Sequence, residues 1–173
     1  MEENAFRLVL LSGIPATGKS TYGRWLSGTK GALHLDLENG DLERHGLAQA
    51  WSASATSPSE SPEPFVRALR RLDRDGALDW GYAPRWLPFV TALHDSGVSA
   101  WLFDGDRAAA RQAFIRRGTV SVEALDVQMQ QIAAVEPALR AFYGVRWLDV
   151  MRPDGTYIAW DDLHELMFNR KLG

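Results

Sequence analysis

The chain has 173 residues, of which 46% are hydrophobic and 24% charged, and its formal net charge is −3. This size and composition fit one globular domain, and the mildly acidic charge gives no reason to expect a nucleic-acid partner. The sequence contains no cysteine, which excludes disulfides and thiolate metal sites. Its first residues lack the basic region of a secretory signal, and no apolar run is long enough to span a membrane, so we expect a cytoplasmic protein.

Short apolar runs alternate with longer helical stretches along the chain, which is typical of a parallel α/β sheet. Strands are predicted over residues 6–11, 32–37, 77–80, 98–103 and 145–151. Helices are predicted over residues 19–27, 63–72, 86–95, 107–117, 122–135 and 161–169. Gly28 is interpreted as the end of the first helix. Residues 52–64 are small and polar with three prolines, which predicts a mobile loop.

The most specific motif follows the first predicted strand. Residues 13–20 read GIPATGKS and match the G-x-x-x-x-G-K-[ST] pattern of a P-loop. In such a loop the glycines let backbone N–H groups surround an anion, and the following helix points its positive end at the phosphates. Lys19 is expected to reach the β- and γ-phosphates, and Ser20 to bind Mg²⁺. The predicted nucleotide-binding residues are Gly13, Ile14, Pro15, Ala16, Thr17, Gly18, Lys19, Ser20 and Thr21.

With this loop between a buried strand and a helix, the sequence resembles the P-loop kinases of small molecules. These include shikimate kinase, gluconate kinase, chloramphenicol phosphotransferase and adenylate kinase. The resemblance spans most of the chain and implies a single three-layer α/β domain over residues 1–173. It implies a parallel five-stranded sheet in the order 2-3-1-4-5, with helices on both faces. It also implies ATP and Mg²⁺ as cofactors and a small molecule with a hydroxyl group as phosphoryl acceptor.

Carboxylates follow the second and third predicted strands. Kinases of this group often carry a carboxylate after the second strand that contacts the acceptor hydroxyl, and Asp36 is the first candidate for this general base. Asp41 is the second candidate, and it could equally cap a helix. Asp79 ends the third strand as a Walker B aspartate does, which predicts that it holds Mg²⁺ or contacts the acceptor. The alternative for Asp79 is a turn residue at the end of a strand.

Arginines recur along the helix that follows the fourth predicted strand. The kinases that the sequence resembles have a lid here, whose arginines stabilise the charge of the transferring phosphoryl group. Spacing makes Arg111 and Arg116 the preferred candidates, with Arg107 and Arg117 as further ones. A solvated basic face of the helix is the alternative. The predicted lid is short and covers residues 107–121.

The order of P-loop, strand-end carboxylates and basic helix predicts transfer of the γ-phosphoryl group of ATP to a hydroxyl of a small molecule. Two alternatives stay open. One is a kinase of nucleosides, nucleotides or polynucleotide ends. The other is a nucleotide-binding regulatory module with little turnover, which would keep Lys19 and Ser20 but have no acceptor. Specificity resides in loops that carry no transferable code, so the acceptor, the choice between ATP and GTP, and the oligomeric state also stay open.

Overall fold

The computed structural model describes residues 7–118 and 121–169, and this part of the chain contains one five-stranded parallel sheet. Its strands are β1 (Leu8–Gly13), β2 (Leu33–Asp36), β3 (Gly76–Asp79), β4 (Val98–Gly105) and β5 (Trp147–Met151). Their order is β2-β3-β1-β4-β5, so the predicted topology is confirmed. Phe6, the predicted start of the first strand, lies outside the described residues, as do positions 119 and 120 of the predicted lid.

Helices connect the strands and cover both faces of the sheet. They are α1 (Lys19–Lys30), α2 (Asp41–Arg44), α3 (Ala48–Ser54), α4 (Glu63–Arg70), α5 (Leu87–Asp95), α6 (Arg107–Arg117), α7 (Val122–Tyr143) and α8 (Trp160–Phe168). Short 3₁₀ turns occupy Pro84–Trp86 and Gly144–Arg146. Within the described ranges, no helix has the length and apolar character that a membrane span requires.

The core consists of two apolar layers, one on each face of the sheet. Side chains alternate along a strand, so neighbouring residues of β1 contribute to different layers. Leu10 belongs to the layer that includes Phe65 of α4, whereas Leu11 belongs to the layer that includes Tyr22 of α1. The buried run of β1 therefore stabilises helices on both faces, as a central parallel strand should. The predicted three-layer architecture is confirmed.

Several helix boundaries differ from prediction. α1 continues through Gly28, so the prediction that Gly28 ends this helix is wrong; Gly31 ends it, with its N–H bonded to the carbonyl of Leu26. The alternative for Asp41 is the cap of one helix that runs to about residue 50, and the structure has two helices there, α2 and α3. α7 runs past its predicted end and through Pro137, because its last turns bury Leu139 and Tyr143.

The loop within the polar segment 52–64 is shorter than the sequence predicts. α3 includes Ser54 and α4 begins at Glu63, so residues 55–62 connect the two helices. Ser54 is fully buried, and its hydroxyl accepts a hydrogen bond of 3.1 Å from the backbone N–H of Phe65. This contact joins the ends of the two helices. The mobility of the connection stays a prediction.

Candidate active site

The GIPATGKS segment forms a tight turn between β1 and α1. Gly13 ends β1 with a φ of 122°, and a Cβ atom on it would lie 2.2 Å from the carbonyl oxygen of Phe103 in β4. Only glycine therefore fits this close approach. The N–H of Ile14 donates to the same carbonyl at 2.9 Å. Ala16 and Gly18 have φ values of 64° and 96°, the left-handed geometry from which backbone N–H groups form an anion nest.

A cavity of about 390 Å³ lies over this turn at the C-terminal edge of the sheet. Its floor is the P-loop with Lys19 and Ser20, and one wall comes from the ends of β2 and β3. The opposite wall comes from the end of α6 and the first turns of α7. Ligands bind at this edge in open parallel sheets, because the loops that follow the strands converge there.

The other predicted nucleotide-binding residues divide between this cavity and the interior. Pro15 and Ala16 line the cavity. Ile14 and Thr17 are buried beneath it, and the Thr17 hydroxyl donates to the Ile14 carbonyl at 2.7 Å. Thr21 is half-buried on the first turn of α1, outside the cavity lining.

Lys19 projects from the start of α1 onto the loop that precedes it. Its Nζ donates to the carbonyl oxygens of Ile14 at 3.0 Å and Gly13 at 3.4 Å. Burial lowers the pKa of Lys19 and outweighs the negative charge of Asp79, which acts to raise it. The positive charge of Arg117 lowers the pKa further. An anion bound in the loop would favour the charged ammonium, as a phosphate does in other P-loops.

Ser20 and Asp79 form the oxygen-rich part of the cavity. The Ser20 hydroxyl donates to the carboxylate of Asp79, which is 5% exposed at the end of β3. Burial acts to raise the pKa of Asp79, but His34, Ser20 and Lys19 together hold it below its usual value. Mg²⁺ prefers oxygen ligands and takes one or two from protein, with the rest from phosphates and water. A hydroxyl and an ionised carboxylate in contact beside the anion nest fit this ion.

His34, on β2, lies behind Asp79. Its Nε2 is 3.6 Å from Oδ2 of Asp79 and is buried, with no hydrogen-bond partner among the described residues. Gly23 of α1 faces the ring, and a Cβ atom there would lie 2.3 Å from Cδ2 of His34. The absence of a side chain at Gly23 therefore lets the imidazole occupy its place. None of the four histidines has metal-ligand spacing. The only sequence signal that His34 lies near the cavity is its position two residues before Asp36, because alternate residues of a strand face the same side of the sheet.

Asp36 and Asp41, the two candidates for the general base, have different surroundings. Asp36 lines the cavity, and its carboxylate accepts the backbone N–H of Glu38 at 3.0 Å and the side-chain amide of Asn39. Asp41 is the first residue of α2 and accepts the backbone N–H of Asp36 at 2.8 Å. It also pairs with Arg44 and is outside the cavity lining. The contacts of Asp41 close the loop that presents Asp36.

The four arginines of α6 point in different directions. Arg117 lines the cavity, whereas Arg111 pairs with Asp126 of α7 at 3.2 Å. Arg116 borders a second cavity, and Arg107 is held in an ion-pair cluster with carboxylates of β4 and α7. Six residues of helix are about 1.7 turns, so Arg111 and Arg117 cannot face the same wall. The cavity lining thus gives no support to the preferred candidates, Arg111 and Arg116. It includes Arg117, one of the two further candidates.

The second cavity lies between α6 and the turn that follows β5, and it also measures about 390 Å³. Its lining includes Arg116 and Gln112 of α6 on one side and Pro153 of the turn on the other. The ring of Tyr157, after this turn, reaches the P-loop, where its hydroxyl donates to the carbonyl of Ala16 at 3.2 Å. Both cavities are bordered by α6; the first is bounded by the ends of β2 and β3, and the second by the turn after β5.

Solved structures with the same fold include P-loop kinases of small molecules. The chain superposes on shikimate kinase from Acinetobacter baumannii, in complex with shikimate, with a TM-score of 0.58 and 16% identity, over 97% of this chain and 96% of that one. It superposes on a gluconokinase from Sinorhizobium meliloti 1021 with a TM-score of 0.50 and 13% identity, over 98% and 99% of the two chains. At these identities the likeness shows the three-layer P-loop fold.

Comparison of the sequence itself gives nothing further. No protein-family model matches it, and a search of curated proteins gives no match. A fold hosts many reactions, so what this chain does has to be argued from the residues of its cavity.

Proposed function

We propose that this protein is a phosphotransferase that moves the γ-phosphoryl group of Mg-ATP to a hydroxyl group of a small molecule. One observation carries the proposal: a single cavity is lined by the P-loop lysine, the Ser20–Asp79 pair and the strand-end carboxylate of Asp36. Phosphoryl transfer needs a cradle for the phosphates, ligands for the metal ion and a group that orients the acceptor hydroxyl. These parts come from three neighbouring strand ends.

The P-loop and its surroundings would bind the phosphates. The backbone N–H groups of residues 13–20 and the N-terminus of α1 offer donors, and Lys19 adds a positive charge. Ser20 and Asp79 would hold Mg²⁺, which neutralises charge on the phosphate oxygens. Arg117 faces the same cavity from the opposite wall and would stabilise the charge that spreads over the transferring group.

Asp36 would serve as the general base on the acceptor side. Its carboxylate would accept the proton of the acceptor hydroxyl while that oxygen forms a bond to the γ-phosphorus. The bond between the γ-phosphorus and the β–γ bridging oxygen breaks at the same time, and ADP leaves with the electron pair. The bonds from the N–H of Glu38 and the amide of Asn39 hold the carboxylate in place.

The nucleobase would lie in the second cavity. The kinases that the sequence resembles often contact adenine through the loop that follows the fifth strand. Here residues 152–156 carry no motif diagnostic of base recognition and are read from the sequence as a plain turn, but this turn forms one wall of the cavity. α6 borders both cavities, and Tyr157, which follows the turn, bonds to the P-loop at Ala16. A triphosphate that starts at the β5 side and crosses the P-loop would then point its γ-phosphate toward β2, where Asp36 stands.

The proposal is tested by Lys19→Ala, with Lys30→Ala as a matched control at the other end of α1. Lys30 is exposed and makes a 4.0 Å contact with Asp161 on the surface. Mg-ATP at 100 times its dissociation constant should stabilise the wild type and the control by about 2.7 kcal/mol, measured as a rise in melting temperature. Both should also transfer phosphate from ATP to a hydroxyl compound in an acceptor library.

Lys19→Ala should keep its fold, show no such rise and transfer no phosphate. Full activity in Lys19→Ala, or no effect of millimolar Mg-ATP on the wild type, would contradict the proposal. Stabilisation by Mg-ATP without transfer to any hydroxyl compound would favour a nucleotide-binding module instead.

A further inference from the structure

The wall of the active-site cavity that follows β2 carries negative charge. Asp36 and Glu38 line it, and Asp79 lies at the end of the neighbouring strand β3. Partial burial and the charges of Asp36 and Asp79 raise the pKa of Glu38, and the positive charge of Lys19 acts in the opposite direction. Carboxylates that share a site in this way repel each other unless a cation lies among them. This wall therefore favours a ligand that is not negatively charged.

The positive side chains of the cavity come from the start of α1 and the end of α6, and Lys19 is near enough to Glu38 and Asp36 for their charges to oppose the lowering of its pKa by burial. Within the part of the chain that the structure describes, the lining contains two cations, Lys19 and Arg117. Lys19 is bonded to the P-loop carbonyls, and Arg117 is close enough to lower the pKa of Lys19. Both therefore belong to the part of the cavity that would hold the phosphates.

Cations near the acidic wall are engaged outside the cavity. Arg44 follows it most closely in sequence and is paired with Asp41 at the start of α2. Neither residue lines the cavity. A carboxylate on the acceptor would thus meet Asp36 and Glu38 without a positive partner from this segment.

We infer that the acceptor is an uncharged or positively charged polyhydroxyl compound, such as a sugar, a polyol or an amino sugar, and that the cavity rejects hydroxy acids. The inference rests on the proposed function and specifies its substrate class. An amine on the acceptor would find its counter-charge in Glu38, and neutral hydroxyls would find amide partners in Asn39 and in Gln128 of the opposite wall. The chain would differ in this respect from the two similar structures, which are named for shikimate and gluconate, both carboxylates.

The test is a library of hydroxyl compounds arranged in sets that share one carbon skeleton and hydroxyl pattern and differ in the charge of one terminal group, for example gluconate, gluconamide and glucamine. Transfer from Mg-ATP is measured by ADP release and by mass spectrometry of the product, with the full chain. The neutral or amine member should have a kcat/KM at least about tenfold above that of the acid, since like charges brought together weaken binding.

Charge reversal at the acidic wall provides a second measurement. Glu38→Lys should raise the kcat/KM of the acid relative to that of the neutral compound by about tenfold. Glu43→Lys is the matched control, because Glu43 is exposed on α2 and outside the cavity lining. The control should leave the ratio unchanged, and both variants should still be stabilised by Mg-ATP, which shows that they fold.

The outcomes separate this inference from the proposed function. If a hydroxy acid is phosphorylated faster than its neutral and amine counterparts, the inference is wrong while the proposed function stands. An unchanged ratio in Glu38→Lys would overturn the inference in the same way. If no compound in the library is phosphorylated although Mg-ATP binds, the proposed function is contradicted, and the inference falls with it.

Discussion

The hydroxyl of Ser20, on the first turn of α1, donates a hydrogen bond to the carboxylate of Asp79, at the end of β3. The two residues are 59 positions apart in sequence. They meet because β1 and β3 are parallel neighbours in a register that places Leu11 beside Asp79, so that the P-loop starts where β3 ends. The two oxygen groups that we propose as ligands of Mg²⁺ are thus held in contact by the fold.

Asp79→Asn should abolish the additional thermal stabilisation that Mg-ATP gives over metal-free ATP. Asparagine keeps the size and a hydrogen-bond acceptor for Ser20 but lacks the charge that a divalent cation requires. We expect the affinity for Mg-ATP to fall about 10- to 100-fold, in line with the contribution of a contact to a charged group. The measurement is thermal stabilisation by ATP with Mg²⁺ and with a chelator.

Asp149→Asn is the control for that variant, because Asp149 is an exposed aspartate on β5. It should behave as the wild type does in both conditions. A magnesium-dependent shift of normal size in Asp79→Asn would exclude Asp79 as a metal ligand.

Asp36→Asn and Asp41→Asn should affect different properties. Asp36→Asn removes the proposed base, so kcat should fall about 10²- to 10⁴-fold while stabilisation by Mg-ATP persists. Asp41→Asn weakens the bond to the backbone of Asp36 and the pair with Arg44, so it should lower the melting temperature and affect activity less. The kinetic constants and the melting temperature of both variants distinguish the roles. A larger loss of kcat in Asp41→Asn than in Asp36→Asn would reverse the assignment.

Arg117→Ala should reduce transfer, whereas Arg111→Ala should not. Arg117 lines the cavity and is proposed to stabilise transition-state charge, so we expect kcat to fall about 10²- to 10³-fold. Arg111 forms a surface pair with Asp126 in which both side chains are 48% exposed, and such pairs contribute little. Steady-state kinetics of the two variants gives the comparison. Equal losses in both would mean that α6 as a whole, and not Arg117, supports the reaction.

Gly23→Ala should destabilise the protein, although alanine normally stabilises a helix relative to glycine. The added Cβ would lie 2.3 Å from Cδ2 of His34 and would force the ring or the helix to move, which costs about 1–3 kcal/mol. His34→Ala in the same chain should relieve the clash, so the double variant should be more stable than Gly23→Ala alone. Thermal or urea unfolding of the three variants tests this coupling. A stability gain in Gly23→Ala alone would show that α1 and β2 are not in close contact at this point.

Much of the fold and part of the site follow from local sequence. The P-loop needs consecutive residues of defined type, and the apolar runs of β1 and β4 are local too, so residues 13–20 and both strands were predicted close to their positions. Asp36 and Asp79 were predicted as the ends of β2 and β3 for the same reason. In a parallel sheet all strand ends of one kind lie at one edge, which explains why residues that are distant in sequence could be assigned to one site.

Only the tertiary structure decided which side chains face the cavity. The sequence does not distinguish Arg111 from Arg117, because both are arginines of the same helix. In the structure Arg117 lines the cavity, whereas Arg111 pairs with Asp126 of α7. The contact of His34 with Asp79 depends in turn on the space that Gly23 leaves in α1. Helix ends and side-chain directions result from packing between elements far apart in the chain. Local pattern therefore determined the motif and the layers of this protein, whereas long-range packing decided the composition of its site.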